Sequence, residues 1–291
     1  MRCSLCPRKC GADRTVKAGF CGAPSQPLVA KVMLHHWEEP FLSGKNGSGA
    51  VFFSGCNLGC VYCQNHAIRS GGFGETMDEA GLADVYLSLQ NQGAHNINLI
   101  TAAPYVPSVA ESLRIARSRG LILPVVYNSG GYELTETLRL LDGLVDIYLP
   151  DFKYVSSVLS GRFSGAPDYF SVVLPAIREM YRQVGGLVFD ENGMAQSGLV
   201  VRHLILPNCA DDSRRVLDAL VTHFPLSIQL SLMSQFTPQP HVTAFPLNRK
   251  ITSREYDRVI SYALSLGLHN ILIQQRDSAN AVFTPRFTDR Q

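Results

Sequence analysis

Between residues 50 and 273, short apolar runs alternate with segments whose apolar positions recur every three or four residues. The first pattern is that of buried strands, the second that of helices with one inward face. Residues 50–54 read as a first core strand. Thr76 and Glu79 have capping-box spacing, and Leu82, Val85, Tyr86 and Leu89 carry a helix from there to Gly93. Residues 97–101 predict a buried strand, and 106–119 a helix with Val109, Ala110, Leu113 and Ala116 on one face. Strands at 124–128 and 145–149 flank a short helix through Leu134, Leu138 and Leu141. A helix near 167–183 leads to a strand at 199–206. Asp212 is placed to cap a helix bearing Val216, Leu217, Leu220 and Val221, and a strand at 227–232 follows. A second capping box, Thr252 and Glu255, opens a helix with Tyr256, Val259, Ile260 and Ala263 inward. Residues 270–273 predict a last strand before an irregular tail.

Strands alternating with helices predict the α/β class, a parallel sheet with helices outside. Some six βα units suit a partial (β/α)6 TIM-like barrel, because the complete eight-unit form takes ~250 residues. A further strand is expected at 28–34, followed by His35, His36, Trp37, Glu38 and Glu39 ahead of Pro40. These five residues border the expected active-site mouth or serve as surface and core polar groups. No linker interrupts 50–273. The expected organisation is a cysteine-rich metal-binding module at 1–27 and a core domain at 28–291 with a C-terminal extension.

Composition narrows the function. A net charge of +2 over 291 residues gives no electrostatic reason to expect nucleic acid or an anionic membrane as partner. No apolar run approaches the ~18 residues that suggest a membrane span. The first residues lack the apolar stretch of a secretory signal, so a reducing cytoplasm is the expected location. There, eight cysteines favour metal over disulfides. All but Cys209 lie within the first 63 residues, which is where chemistry is expected.

Cys56, Cys60 and Cys63 form a C-x3-C-x2-C motif directly after the first core strand. Three thiolates crowded together suit a soft metal centre. Four-iron clusters commonly take four cysteines, so three would leave one iron open. Cys3, Cys6, Cys10 and Cys21 make a second array in a segment too short to bury a core, for which a metal is the plausible organiser. Zinc and an auxiliary iron–sulfur cluster both fit that array. Cys209 reads as a plain thiol.

The cysteine motif, with Tyr62 before its last cysteine, resembles the cluster motif of the radical S-adenosylmethionine (SAM) superfamily. The run GSGAVFFSGCNLGCVYCQN, with DIYLPDFK and VRHLILPN behind it, is similar to pyruvate formate-lyase activating enzymes. The segments HHWEEPFLSG and YNSGGYE point to their uncharacterised relatives. The resemblance implies a 4Fe–4S cluster on Cys56, Cys60 and Cys63, with SAM chelated through its amino and carboxylate groups to the open iron. Electron transfer into SAM would yield methionine and a 5′-deoxyadenosyl radical that abstracts hydrogen. By motif, Tyr62, Asn128, Ser129, Asp151 and Lys153 fall around SAM, with Arg202 as a further candidate. No catalytic residue is assigned beyond the cluster ligands. Where many members carry G-G-E, this chain has Thr101-Ala102-Ala103-Pro104, which leaves the holder of the SAM amino group unassigned. The implied partners are a reductant such as a flavodoxin or ferredoxin, and a glycyl radical enzyme activated by this oxidoreductase-type chemistry. The alternatives are a small molecule or another polypeptide as substrate, or a noncatalytic iron–sulfur or zinc module.

Overall fold

A computed structural model describes residues 2–274, 285 and 287. The chain enters its sheet as β1 (Leu28–His35), turns through α1 (Pro40–Ser43) and returns antiparallel as β2 (Ser48–Phe53). The cysteine loop, α2 (His66–Arg69) and a two-residue strand β3 (Glu75–Thr76) follow, β3 pairing with β1. Next come α3 (Glu79–Asn91), β4 (Ile97–Ile100), α4 (Val106–Ser118), β5 (Val125–Ser129), α5 (Thr135–Leu138) and β6 (Ile147–Pro150). Helices α6 (Ser157–Ser164) and α7 (Tyr169–Val184) precede a small hairpin of β7 (Val188–Phe189) with β8 (Ala195–Leu204). The last elements are α8 (Ala210–His223), β9 (Gln229–Met233), α9 (Ser253–Ser265) and β10 (Ile271–Ile273).

Strands β2, β4, β5, β6, β8, β9 and β10 lie side by side in that order, all parallel. The sheet ends at β3 and β10, which do not pair with each other, so the barrel is partial as expected. Every residue of β2 is buried, and β5 and β6 are buried throughout, as strands covered on both faces must be. Tyrosines supply much of the core bulk. Their hydroxyls find partners inside: Tyr105 donates to Ser54 O at 2.9 Å and Tyr148 to Gln183 at 2.6 Å. Among the described residues no helix is long and apolar enough to cross a membrane.

Two expected caps are corrected. Thr76 does not cap α3, because it is extended in β3; Asp78 does so, accepting from Gly81 N at 2.8 Å. Asp212 lies inside the first turn of α8, whose cap position is Cys209. Its carboxylate instead accepts from the backbone N–H groups of Val155 and Ser156 at 3.1 and 2.8 Å. The second box is present as read, with Thr252 and Glu255 bonded reciprocally. Helix α6 was not expected, since Gly161 interrupts its apolar residues. Ser156 caps it and Gly165, at φ 61°, ends it. The expected tail beyond residue 274 lies outside the described residues, apart from positions 285 and 287.

The N-terminal segment packs onto the barrel. Arg8 donates to Asn57 O at 2.9 Å and Gly165 O at 2.6 Å, and its guanidinium stacks over Phe20. Arg14 reaches Ala23 O at 3.1 Å and Pro104 O at 2.5 Å. Gly22 permits the closest approach: at φ 71° a Cβ there would lie 1.8 Å from Ser70 O.

Candidate active site

The cysteine loop leaves β2 at the C-terminal end of the parallel strands, where barrels of this kind place their chemistry. It is strapped to α6 by Gly59 N to Ser164 O (3.0 Å) and Val61 N to Phe163 O (2.9 Å). Asn57 Nδ2 donates to Tyr132 O at 2.6 Å. The three thiols of the loop are brought into one another's field. Burial first, then the neighbouring Cys60, pushes Cys56 up to about 12 and Cys63 up to about 11. Cys60 Sγ meets Ser164 Oγ at 3.0 Å. Soft sulfurs within one another's field, Cys60 buried and Cys56 and Cys63 half-buried, have the donor chemistry of an iron–sulfur cluster.

Cys60 and Cys63 form part of the wall of a cavity of about 220 Å³. It is also lined by Asn128, Asp151, Lys153 and Arg202, from the ends of the neighbouring strands β5, β6 and β8. Tyr62 also lines it, with its hydroxyl bonded to that of Tyr154 and its ring edge-on to Phe236. Five of the six expected SAM contacts therefore meet in one cavity with two of the three motif cysteines. Ser129 is buried at the end of β5, where its Oγ accepts from Gly131 N at 3.1 Å. It does not line the cavity.

The polar wall is one network. Arg202 donates from Nε to Asp151 Oδ1 (3.0 Å), from Nη2 to Asn128 Oδ1 (2.5 Å) and from Nη1 to Glu38 Oε2 (3.4 Å). Glu38 Oε1 accepts from Asn98 Nδ2 and Asn128 Nδ2, each at 3.2 Å. Asp151 also pairs with Lys153. Burial pushes the Asp151 carboxyl up, but Lys153 and Arg202 outweigh it and hold the group below the usual carboxylate range. Lys153 and Arg202 are correspondingly held protonated by that carboxylate, against their burial. Tyr169 fixes the backbone beneath, its hydroxyl bonding Gly130 O (2.9 Å) and Asp151 O (2.7 Å) and accepting from Lys153 N (3.0 Å). Gly131, at φ 73°, keeps that approach possible, since a Cβ would stand 2.5 Å from Asp151 O.

A second cavity of about 750 Å³ adjoins the first through Trp37, Glu38, Arg202, Met233 and Gln235. His36 and Glu39 line only the second, and His35 only the first. Gln64, Asn65, Met233 and Gln235 were not among the expected site residues. The signal for the first two was their place beside Cys63, and for the others their position at the end of β9. At the G-G-E position Thr101 is half-buried, and its Oγ1 has no partner among the described residues.

Cys3, Cys6, Cys10 and Cys21 line a single small cavity together with Arg8 and Arg14. Burial pushes Cys6 up to about 11. Cys56 N donates to Cys21 O at 3.1 Å, so the two cysteine groups adjoin. Among the described residues no three His, Cys, Asp or Glu side chains are gathered closely enough to hold a single metal ion. Cys209 is buried apart from both groups, and its thiol is pushed up to about 12 by that burial.

Residues 50–189 match the family profile described as the radical SAM superfamily. An uncharacterized protein of Methanocaldococcus jannaschii is 27% identical over 275 residues, covering 91% of this chain and 75% of its own length. Methylornithine synthase has a similar fold, with a TM-score of 0.51 at 18% identity over 75% of this chain and 60% of its own. So has Streptococcus suis SuiB bound to the precursor peptide SuiA, with a TM-score of 0.51 at 12% identity over 76% of this chain. This chain spans 46% of SuiB, and at such identities the likeness concerns the fold alone. The family implies a 4Fe–4S cluster and SAM. With its cysteine loop at the end of β2 and a polar cavity lined by that loop, the chain resembles the radical SAM superfamily, whose profile residues 50–189 match.

Proposed function

We propose that this protein cleaves SAM reductively in the cavity above Cys60 and Cys63 and uses the resulting radical to take hydrogen from a polypeptide, as a glycyl radical enzyme activase does. The larger chamber beside Trp37, which shares five wall residues with this cavity, carries this reading, since it leaves room for a substrate segment next to SAM. Cys56, Cys60 and Cys63 would hold the 4Fe–4S cluster. When bound and reduced, that group supplies the electron for SAM cleavage.

The chain's own residues orient and enclose. Lys153 and Arg202 offer fixed positive charge to the SAM carboxylate, and Asp151 is held ionised between them. Asn128 and Tyr62 face the same space. Thr101 Oγ1, without a partner among the described residues and next to Ile100 of the cavity wall, is the acceptor we assign to the SAM amino group. Ser129 acts through its loop. Cys3, Cys6, Cys10 and Cys21 would hold a second centre, zinc or an auxiliary cluster, supported by their sharing one cavity. A flavodoxin or ferredoxin would deliver the electron.

The test is to incubate the anaerobically reconstituted protein, SAM and reductant with candidate glycyl radical enzymes and record the electron paramagnetic resonance spectrum. A glycine-centred doublet that disappears with Cys60→Ala supports the activase. Brisk SAM turnover with a small metabolite, and no protein radical with any candidate, overturns it.

A further inference from the structure

The larger chamber is acidic at its inner end, and one of its acids lacks a partner. Glu38 and Glu39 stand side by side in its wall. Glu38 is satisfied by two asparagine amides and by Arg202. Glu39 is not. Only 7% of it is exposed, and its Oε2 is fully buried with no hydrogen-bond donor among the described residues. Ser231 lies beside it, close enough to act on the Glu39 carboxyl, but neither Glu39 Oε2 nor Ser231 Oγ completes a hydrogen bond of good geometry among the described residues. Arg202, the cation in the field of Glu39, donates to Asp151, Asn128 and Glu38 and gives Glu39 Oε2 no hydrogen bond.

A buried carboxylate oxygen without a donor is costly, the more so when charged. Such an atom in a cavity wall invites a ligand that brings the donor. SAM does not meet this need from the first cavity, because Glu39 does not line it. Three carboxylates (Glu38, Glu39 and Asp151) face two cations (Arg202 and Lys153), so the occupant that balances Glu39 carries positive charge. Burial pushes the carboxyls of both Glu38 and Glu39 up, toward the neutral form, and a cationic group donating to Glu39 would shift it back toward the carboxylate.

We propose that the chamber beside Trp37 recognises a basic side chain of the substrate polypeptide, an ammonium or guanidinium that donates to Glu39 and so delivers the neighbouring backbone to the SAM cavity. This rests on the proposed reading of the site and specifies the substrate segment as one with Lys or Arg near the reacting residue. Trp37 is the chain's single tryptophan and lines the chamber, so its fluorescence reports occupancy.

The test uses the full-length, reconstituted, SAM-loaded protein. It is titrated with four blocked tripeptides, glycine-flanked Lys, Arg, Gln and Glu, while Trp37 emission is followed. The Lys or Arg peptide is expected to act at about tenfold lower concentration than the Gln peptide, the worth of one charge-assisted hydrogen bond. Glu39→Gln should remove that preference, and Glu39→Asp should retain part of it. Equal response to all four peptides, or a preference that Glu39→Gln leaves intact, overturns the inference. If the variant does not fold, the wild-type series alone decides. Formation of 5′-deoxyadenosine is assayed in the same samples: its absence throughout refutes the proposed function, whereas its presence without cationic preference refutes only this inference.

Discussion

Replacing Arg202 by methionine removes the hub of the polar wall while keeping most of its volume. The guanidinium is 14% exposed and serves Asp151, Asn128 and Glu38, with Glu39 also in its field. Removing one partner of a buried ion pair costs about 3–5 kcal/mol, because the other charge is left uncompensated. Asp151 keeps Lys153 and Glu38 keeps two amide donors, so the loss should sit near the lower end, about 3 kcal/mol. The cost should also depend on pH. Without Arg202, the folded-state pKa values of Glu38 and Glu39 rise further above their unfolded values, so these groups destabilise the fold at high pH. That penalty shrinks as pH falls and the carboxyls take up protons. Urea unfolding of wild type and Arg202→Met at pH 8 and pH 5 measures both effects. At a slope of about 3 kcal/mol/M, the midpoint should fall by about 1 M at pH 8 and by less at pH 5. A loss below about 1 kcal/mol, or one equal at the two pH values, would refute the reasoning, since a surface-like ion pair behaves that way.

Three further predictions follow from other parts of the molecule. His203 is buried between Phe152 O and Ser213 Oγ, and burial lowers its pKa from 6.5 to about 4. The unfolded chain therefore binds more protons in that window, and stability should fall by about 3 kcal/mol as pH drops from 6.5 to 4; a flat wild-type pH profile there, or one unchanged in His203→Asn, contradicts this. Asn128→Ala and Lys153→Ala should each weaken SAM binding about tenfold by calorimetry while leaving the cluster absorbance unchanged; unaltered affinity in both would reduce these residues to loop caps. Gly22→Val should cost more than about 1 kcal/mol and release residues 1–27 to limited proteolysis, because its Cβ collides with Ser70 O at a left-handed φ; wild-type protease resistance would show that the N-terminal segment docks by other means.

What the sequence made legible was governed by locality. The strand and helix order, the capping box at Thr252 and the cysteine motif depend on residues close in the chain, and the structure contains them. Thr76 failed as a cap because pairing with β1, set by distant Leu28, claims it for a strand. Asp212 failed for a similar reason, since the acceptors it offers are taken by Val155 and Ser156 across the fold. Strand-end logic brought Asn128, Asp151, Lys153 and Arg202 to one cavity wall, yet it could not distinguish Ser129, whose alternation on β5 turns it to other partners. Glu38 was legible as one of five residues that border the expected active-site mouth or serve as polar groups, but its partners were not. Its bonds to Asn98, Asn128 and Arg202 span up to 164 positions and exist only once the sheet curls. The anchoring of the N-terminal segment through Arg8 and Arg14 was illegible for the same reason.

The central claim is that Cys56, Cys60 and Cys63 hold the centre at which SAM is cleaved. The most direct test is to reconstitute wild type and the Cys56→Ala, Cys60→Ala, Cys63→Ala triple variant anaerobically, count iron, and measure 5′-deoxyadenosine and methionine after adding SAM and reductant. The triple variant should lose about four irons per chain relative to wild type, the content of one such cluster, and all SAM cleavage. Retained cleavage, or an iron content equal to wild type, would contradict the assignment.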